Sequence, residues 1–369
     1  MDKRAKDKRA KSVLLFLVMA AALWLYAAPP CSAARNPGTE NKAEEDVTAV
    51  TISAAGDCTF GSDQKSPASA NFYAVYKKQD DPAYFFKNVR PYFKGDDLTL
   101  VNFEGVLTKR TTRADKKYAF KGNPGYVNIL RKGSVEAVAF ANNHCRDFGE
   151  GSYTDTKECF KEAGVTYSSY EKVGIYEAKG KKIGMISVNG LEGTDVSKSL
   201  VQKGLKKLKK KGADLRIVSI HAGIEYEKAP SAEQKNLARY AVDQGADLVL
   251  GHHPHILQGV EKYRGRYIVY SLGNFCFGGN TNPADKDTMI FQQTFLFREG
   301  KLKRKESKVK LIPCSLSSAS GVNNYQPTPA SGKKKKQILK KIDNLCRPLG
   351  TTLQNKKGKL TQTLYQAES

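Results

Sequence analysis

The chain has 369 residues, 40% of them hydrophobic, with 61 Lys and Arg against 37 Asp and Glu for a formal net charge of +24. That hydrophobic share supports one large folded domain or two modest ones and excludes a disordered chain. Over half of the charge excess is C-terminal, since residues 298–369 hold 17 Lys and Arg against 4 Asp and Glu. A basic surface of this kind meets anionic lipid headgroups, cell-wall phosphate polymers or polycarboxylates, or is simply a solvated face.

At the N-terminus, Lys3, Arg4, Lys6, Lys8, Arg9 and Lys11 precede an uncharged run from Val13 to Ala28, then Pro29-Pro30 and the small residues Ser32, Ala33 and Ala34. Basic, apolar and small-residue regions in that order predict export, with residues 1–34 acting as a signal peptide or a membrane anchor. As a helix the apolar run measures about 24 Å against a hydrocarbon core of about 30 Å, so cleavage and retention both stay open. Residues 35–46 read as a polar linker. The body is therefore expected outside the cell or on the outer face of the cytoplasmic membrane, where nucleic acid is a poor partner. Of the seven cysteines, Cys31 falls in the leader; the remaining six permit disulfides, and Cys58, Cys145 and Cys276 lie beside or within the motif segments, where a thiol role at the site competes with the better reading of a small buried residue or a disulfide partner.

The globular part begins at Val47. Short apolar runs at 47–55, 98–103, 135–141, 183–188, 216–220, 247–250 and 268–272 each stop at a polar residue next to a glycine or an amide. Helical patterns fall between them at 82–93, 152–163 and 231–244. Strand, helix, strand alternation predicts an α/β fold with substantial parallel pairing, whose ligands gather outside the carboxyl ends of the strands. Past residue 280 the pattern thins to a strand at 308–314 and a helix at 331–345. Four lysines, Lys333 to Lys336, stand at that helix's start. They oppose its macrodipole and point to an external anion, or to a frayed solvated end.

All five histidines lie at strand exits: His144, His221, His252, His253 and His255. With Asp57, Glu104 and Asn143 at other exits they form a mixed oxygen and nitrogen set. Such a set suits a divalent Mn, Fe or Zn ion better than calcium or a thiolate-rich structural zinc. The spacing of His253 and His255 puts both on one side of an extended segment, with His252 facing away. Asn142, Asp147, Glu225, Tyr226 and Asn274 either line the site, where they and His252 would contact substrate, or fix its loops by hydrogen bonds.

The segments AAGDCTFGSD (54–63), VNFEGVLT (101–108), FANNHCRDFGEGSYTDT (140–156), HAGIEYEKAP (221–230) and DQGADLVLGHHPHILQGVEKYRGRYIVYSLGNFCFGG (243–279) resemble the bacterial capsule synthesis protein CapA family of poly-gamma-glutamate biosynthesis. The resemblance implies a calcineurin-like metallophosphoesterase fold, a four-layer α/β/β/α sandwich. It implies one domain over 47–280 with its C-terminal portion at 281–350 and a tail at 351–369. It further implies that Asp57, Glu104, Asn143, His221, His253 and His255 occupy metal-ligand positions and that His144 is the proton donor. Phosphoesterases of this fold usually carry Asp-x-His where this chain has Asp57-Cys58-Thr59, and Gly-Asp-x-x-Asp where it has Asn102-Phe103-Glu104. The expected role is a membrane-associated extracellular component of capsule-polymer synthesis or export, alongside other capsule synthesis proteins. The alternatives are a secreted metal-dependent hydrolase of phosphoester or amide bonds in cell-wall polymers, and a non-catalytic scaffold that binds polyanions.

Overall fold

The computed structural model describes residues 46–170, 172–357 and 359–366. The leader expected at residues 1–34, and all of the linker except Asp46, lie outside them. Among the described residues no helix is long and apolar enough to cross a membrane.

Alternation along the strands divides their side chains between two faces. In Val47–Thr59 the residues Val50, Ile52 and Ala54 point one way, and in Leu98–Phe103 so does Leu100, while Val101 and Phe103 point the other. The inward set meets Ile183, Met185, Leu215, Ile217, Leu248 and Leu250 of a second sheet, so two sheets pack face to face over one apolar layer.

The first sheet runs in the order 351–356, 359–366, 308–315, 287–298, 47–59, 98–103, 137–139 and 166–168. Its last four strands are mutually parallel. The second runs 260–263, 266–269, 248–252, 215–221, 181–189 and 174–178, parallel except at its two edges.

Helices, with the turn between Tyr84 and Arg90, close both outer faces. Phe72, Phe85, Phe86, Phe93, Leu130 and Phe160 cover the first sheet, and Val201, Leu205, Leu208, Leu237 and Ala241 cover the second. The architecture is thus α/β in four layers, helices outside and sheets inside.

Several elements differ from the sequence reading. The helix expected over 82–93 is two pieces, a 3-10 turn at Pro82–Tyr84 and a short helix at Arg90–Lys94. Pro91 is the cause: it lacks an N–H and fits only the first turn, so the helix restarts there. Thr194–Lys210 and the strand Asp287–Arg298 were not read as elements, and both are regular. Residues 351–366, read as a tail, form a hairpin on the edge of the first sheet, with Leu353 and Leu364 buried in the core. The hairpin strands are largely polar on their open face, which hid them. The six cysteines of the described residues are free and buried, which favours the reading as small apolar residues over disulfides.

Candidate metal centre

Parallel strands release their polar residues at one end, and both sheets do so toward the same place. Asp57 stands near the end of Val47–Thr59, Glu104 directly after Leu98–Phe103, and Asn142 to His144 beyond Ala137–Ala139. His221 and His252 close their own strands in register with each other, and Asn274 opens Asn274–Phe277 beside Asp57. Close approach of the backbone makes this possible at Gly56, where a Cβ atom would stand 1.8 Å from the carbonyl oxygen of Gly273.

The side chains then meet. His255 Nδ1 lies 3.3 Å from Asp57 Oδ2 and its Nε2 lies 3.6 Å from Glu104 Oε1. His144 Nε2 lies 3.7 Å from the same Glu104 oxygen, and His221 Nε2 is 2.8 Å from Asn143 Oδ1. The rings of His221 and His253 are 4.9 Å apart, those of His253 and His255 5.9 Å. Two sets of donor atoms, Asp57 with Glu104 and His221, and Glu225 with His253 and His255, each lie within 4.8 Å of one another. All six residues assigned to metal positions by resemblance therefore converge. Glu225, expected to line the site or to fix a loop, stands with the second set.

The expectation for His252 is corrected. Its Nδ1 lies 3.2 Å from Asp57 Oδ1, turned toward the centre. The segment is not extended, because the chain leaves the strand at His252 and bends, with φ of 96° at His253 and 60° at His255. Positive φ at two non-glycine residues is a strained conformation of the kind that surrounding structure sustains at functional sites. Asn274 and Asn142 are holders: Asn274 Oδ1 lies 2.9 Å from His255 Nδ1, and Asn142 donates to the Phe103 carbonyl at 2.8 Å and accepts from the His144 N–H at 3.0 Å.

Burial and charge set the protonation of the cluster. Glu104 is fully buried, and neither carboxylate oxygen has a hydrogen-bond partner among the described residues. Burial, with the charge of Asp57 adding to it, pushes Glu104 up to about 8 although His255 opposes the shift. Burial acts to raise Asp57 as well, but the imidazoles of His252 and His255 outweigh it and hold that carboxyl well below its ordinary value. His255 shows the mirror effect: burial would lower it, and Glu104 and Asp57 carry it up to about 9. Burial lowers His253 to about 4 and holds His221 well below the usual imidazole range. The carboxylates thus draw positive charge to a place where water is excluded. Donors around a first-row ion at about 2.0–2.2 Å stand roughly 3.0–3.6 Å apart, close to the separations here. The orphaned Glu104 oxygens and the imidazoles therefore fit a divalent ion, which the two sets named above would hold.

Next to this cluster His144 is fixed from behind. Its Nδ1 lies 2.6 Å from Asp147 Oδ2, and Lys116 Nζ donates to Asp147 Oδ1 at 2.8 Å and to the Asn143 carbonyl at 2.7 Å. The Phe120 ring stacks on His144 at 4.4 Å. Burial pushes the His144 imidazole down, against the pull of Asp147, which favours a neutral ring with Nδ1–H on the carboxylate and Nε2 facing Glu104. A cleft of about 330 Å³ opens over His144 and His255, with Lys65, Lys117, Tyr118 and Tyr226 at its mouth.

Residues 51–279 match the bacterial capsule synthesis protein family PGA_cap. The chain belongs to that family. The capsule biosynthesis protein CapA of Bacillus anthracis is 29% identical, covering 74% of this chain and 70% of that protein. The PGA biosynthesis protein CapA of Bacillus subtilis (strain 168) is 28% identical over 75% of each. A probable polyglutamine synthesis accessory protein of Mycobacterium tuberculosis (strain CDC 1551 / Oshkosh) is 27% identical over 48% of this chain and 55% of that one. A crystal structure of a hypothetical protein from Thermus thermophilus is similar at a TM-score of 0.42 and 14% identity, covering 72% of this chain and 99% of that one.

Sequence reasoning missed Asn102, Lys116 and Phe120. Asn102 Nδ2 donates to Asp57 Oδ1 at 2.9 Å and lies 3.3 Å from His221 Nδ1. An amide inside an otherwise apolar strand was the available signal, because a buried polar group must find a partner. Lys116 and Phe120 lie in the irregular segment 108–120, and a long loop inside a compact domain was the signal there.

Proposed function

We propose that this chain is a membrane-associated extracellular component of poly-gamma-glutamate or related capsule-polymer biosynthesis or export, and that it works through a metal-binding cleft. The polymer comes from the names of the relatives, and the export comes from the order of charges and apolar residues in 1–34. One observation carries the cleft: Glu104 is a fully buried carboxylate whose two oxygens lack hydrogen-bond partners among the described residues.

Asp57, Glu104, Asn143 and His221 would hold one side of an ion, and Glu225, His253 and His255 the other. A divalent cation bound there supplies Lewis-acid polarisation of a phosphoryl or carbonyl oxygen. The protein's own part is orientation. Asp147 fixes the His144 tautomer so that Nε2 faces the cleft, where it can take up a proton and return it to a leaving group. Lys116 holds Asp147 in turn.

This His144–Asp147 pair favours a second reading, a secreted metal-dependent hydrolase of phosphoester or amide bonds in cell-wall polymer. The test has two parts. Deleting the gene should abolish polymer on the cell surface if the first reading holds. Purified protein should cleave a generic phosphodiester or poly-gamma-glutamate if the second does.

A further inference from the structure

The helix Gly332–Cys346 packs its apolar face, Ile338, Leu339, Ile342 and Cys346, into the core between the sheets. Its lysines divide between two flanks. Lys334 and Lys341 pair with Asp285 and Asp287 at 2.5–3.2 Å. On the other flank Lys335, Lys336, Lys340 and Arg347 line a groove of about 740 Å³ whose far wall is Lys359 and Leu360 of the C-terminal hairpin.

Asp343 is the one acid among those lining residues. It is buried and already accepts from Arg347 Nε, Thr352 Oγ1 and the Leu353 N–H, each at 2.8 Å. Lys336, Lys340 and Lys359 are exposed and have no acidic partner among the described residues. Asp343 thus answers Arg347 within the lining, and four lysines, Lys335, Lys336, Lys340 and Lys359, face the groove with no acid among its lining residues left to meet them. The floor is apolar, made by buried Leu339 and half-buried Leu360.

From Lys336 to Arg347 the helix advances about 16 Å at about 1.5 Å per residue, so a single small anion meets only part of the row. A concave channel also suits a strand-like occupant better than a flat bilayer. Resting on the function proposed above, we infer that this groove binds the poly-gamma-glutamate chain itself, apart from the metal cleft. Each repeat of that polymer offers one carboxylate and two main-chain methylenes. The lysines meet the carboxylates, and Leu339 and Leu360 meet the methylenes. The groove shares no lining residue with the cleft, so the chain can be held at one place while chemistry or transfer proceeds at another.

The test uses full-length protein in neutral detergent and fluorescently labelled poly-gamma-glutamate. A triple variant, Lys336→Gln with Lys340→Gln and Lys359→Gln, should bind on the order of tenfold more weakly and with a shallower salt dependence, because exposed charges act through screened Coulomb attraction. Its metal content should match wild type. Wild-type affinity in the triple variant would overturn the groove proposal, and so would preference of wild type for anionic phospholipid vesicles over the polymer. Loss of cell-surface polymer on gene deletion, together with either of those results, would remove the groove and leave the proposed function standing.

Discussion

His144 is held by contacts that a single substitution can remove without emptying the cluster. Asp147→Asn keeps the shape but cannot favour the Nδ1–H tautomer as a carboxylate does, so any phosphodiester turnover should fall about 100-fold while bound metal is retained. Steady-state kinetics beside elemental analysis check this. Asp63, at the cleft wall, gives a pH prediction. Burial acts to raise its carboxyl, but the Arg113 guanidinium at 2.8 Å and the N–H groups of Lys65 and Ala119 outweigh burial and hold it below its ordinary value. A folded value below the unfolded one stabilises the protein fully above the unfolded carboxylate value of about 3.9, and that contribution fades as pH falls through the folded value. Asp63→Asn should therefore lower Tm at neutral pH, and the gap to wild type should close below about pH 4. A constant gap across that range, seen by thermal unfolding, would exclude the ionic origin. Residues such as Asp57, Glu104 and the histidines were legible in the sequence because each interrupts an apolar run at its exit. Asn102 was not, because it lies within such a run, and Lys116 was not, because only the fold brings its loop to His144.

Among elements, the seven strands that carry the apolar runs between 47 and 272 and the helices at 149–162 and 232–243 followed from apolar periodicity and turn residues, whereas Thr194–Lys210 did not. Ala232–Asp243 even carries its start signal, a capping box between Ser231 and Gln234. Breaks came where one residue overrode the pattern, as Pro91 does within 82–93. The helix Gly332–Cys346 shows a second limit. Its first-turn lysines oppose the macrodipole, yet Lys334 is answered by Asp287, an acid from a strand that the sequence did not reveal. Contact between the strands at Gly56 yields a further prediction. Gly56→Ala would drive a methyl group into the Gly273 carbonyl, and it should cost about 3 kcal/mol or more in urea unfolding, because neither backbone can retreat without shifting Asp57 and Asn274. An unchanged midpoint would mean that the strands are less tightly apposed than described.

Taken as a whole molecule, two sheets with parallel exits aimed at one point create a buried place rich in carboxylates and imidazoles, and the remaining surface carries most of the positive charge. That division is what supports the two proposals, ion binding at the sheet ends and polyanion binding at the periphery. A ligand that binds only the folded state stabilises it by about 2.7 kcal/mol at a hundredfold excess over Kd. Chelator treatment should therefore lower Tm, and added Mn, Fe or Zn should restore it. The most direct measurement is the metal content of the purified full-length chain beside Glu104→Gln, in which the orphaned carboxylate becomes a neutral amide. Wild type should carry at least one transition-metal ion per chain and the variant should lose most of it, with Tm becoming insensitive to added metal. A wild-type chain that purifies without metal and whose Tm does not respond to Mn, Fe or Zn would contradict the account.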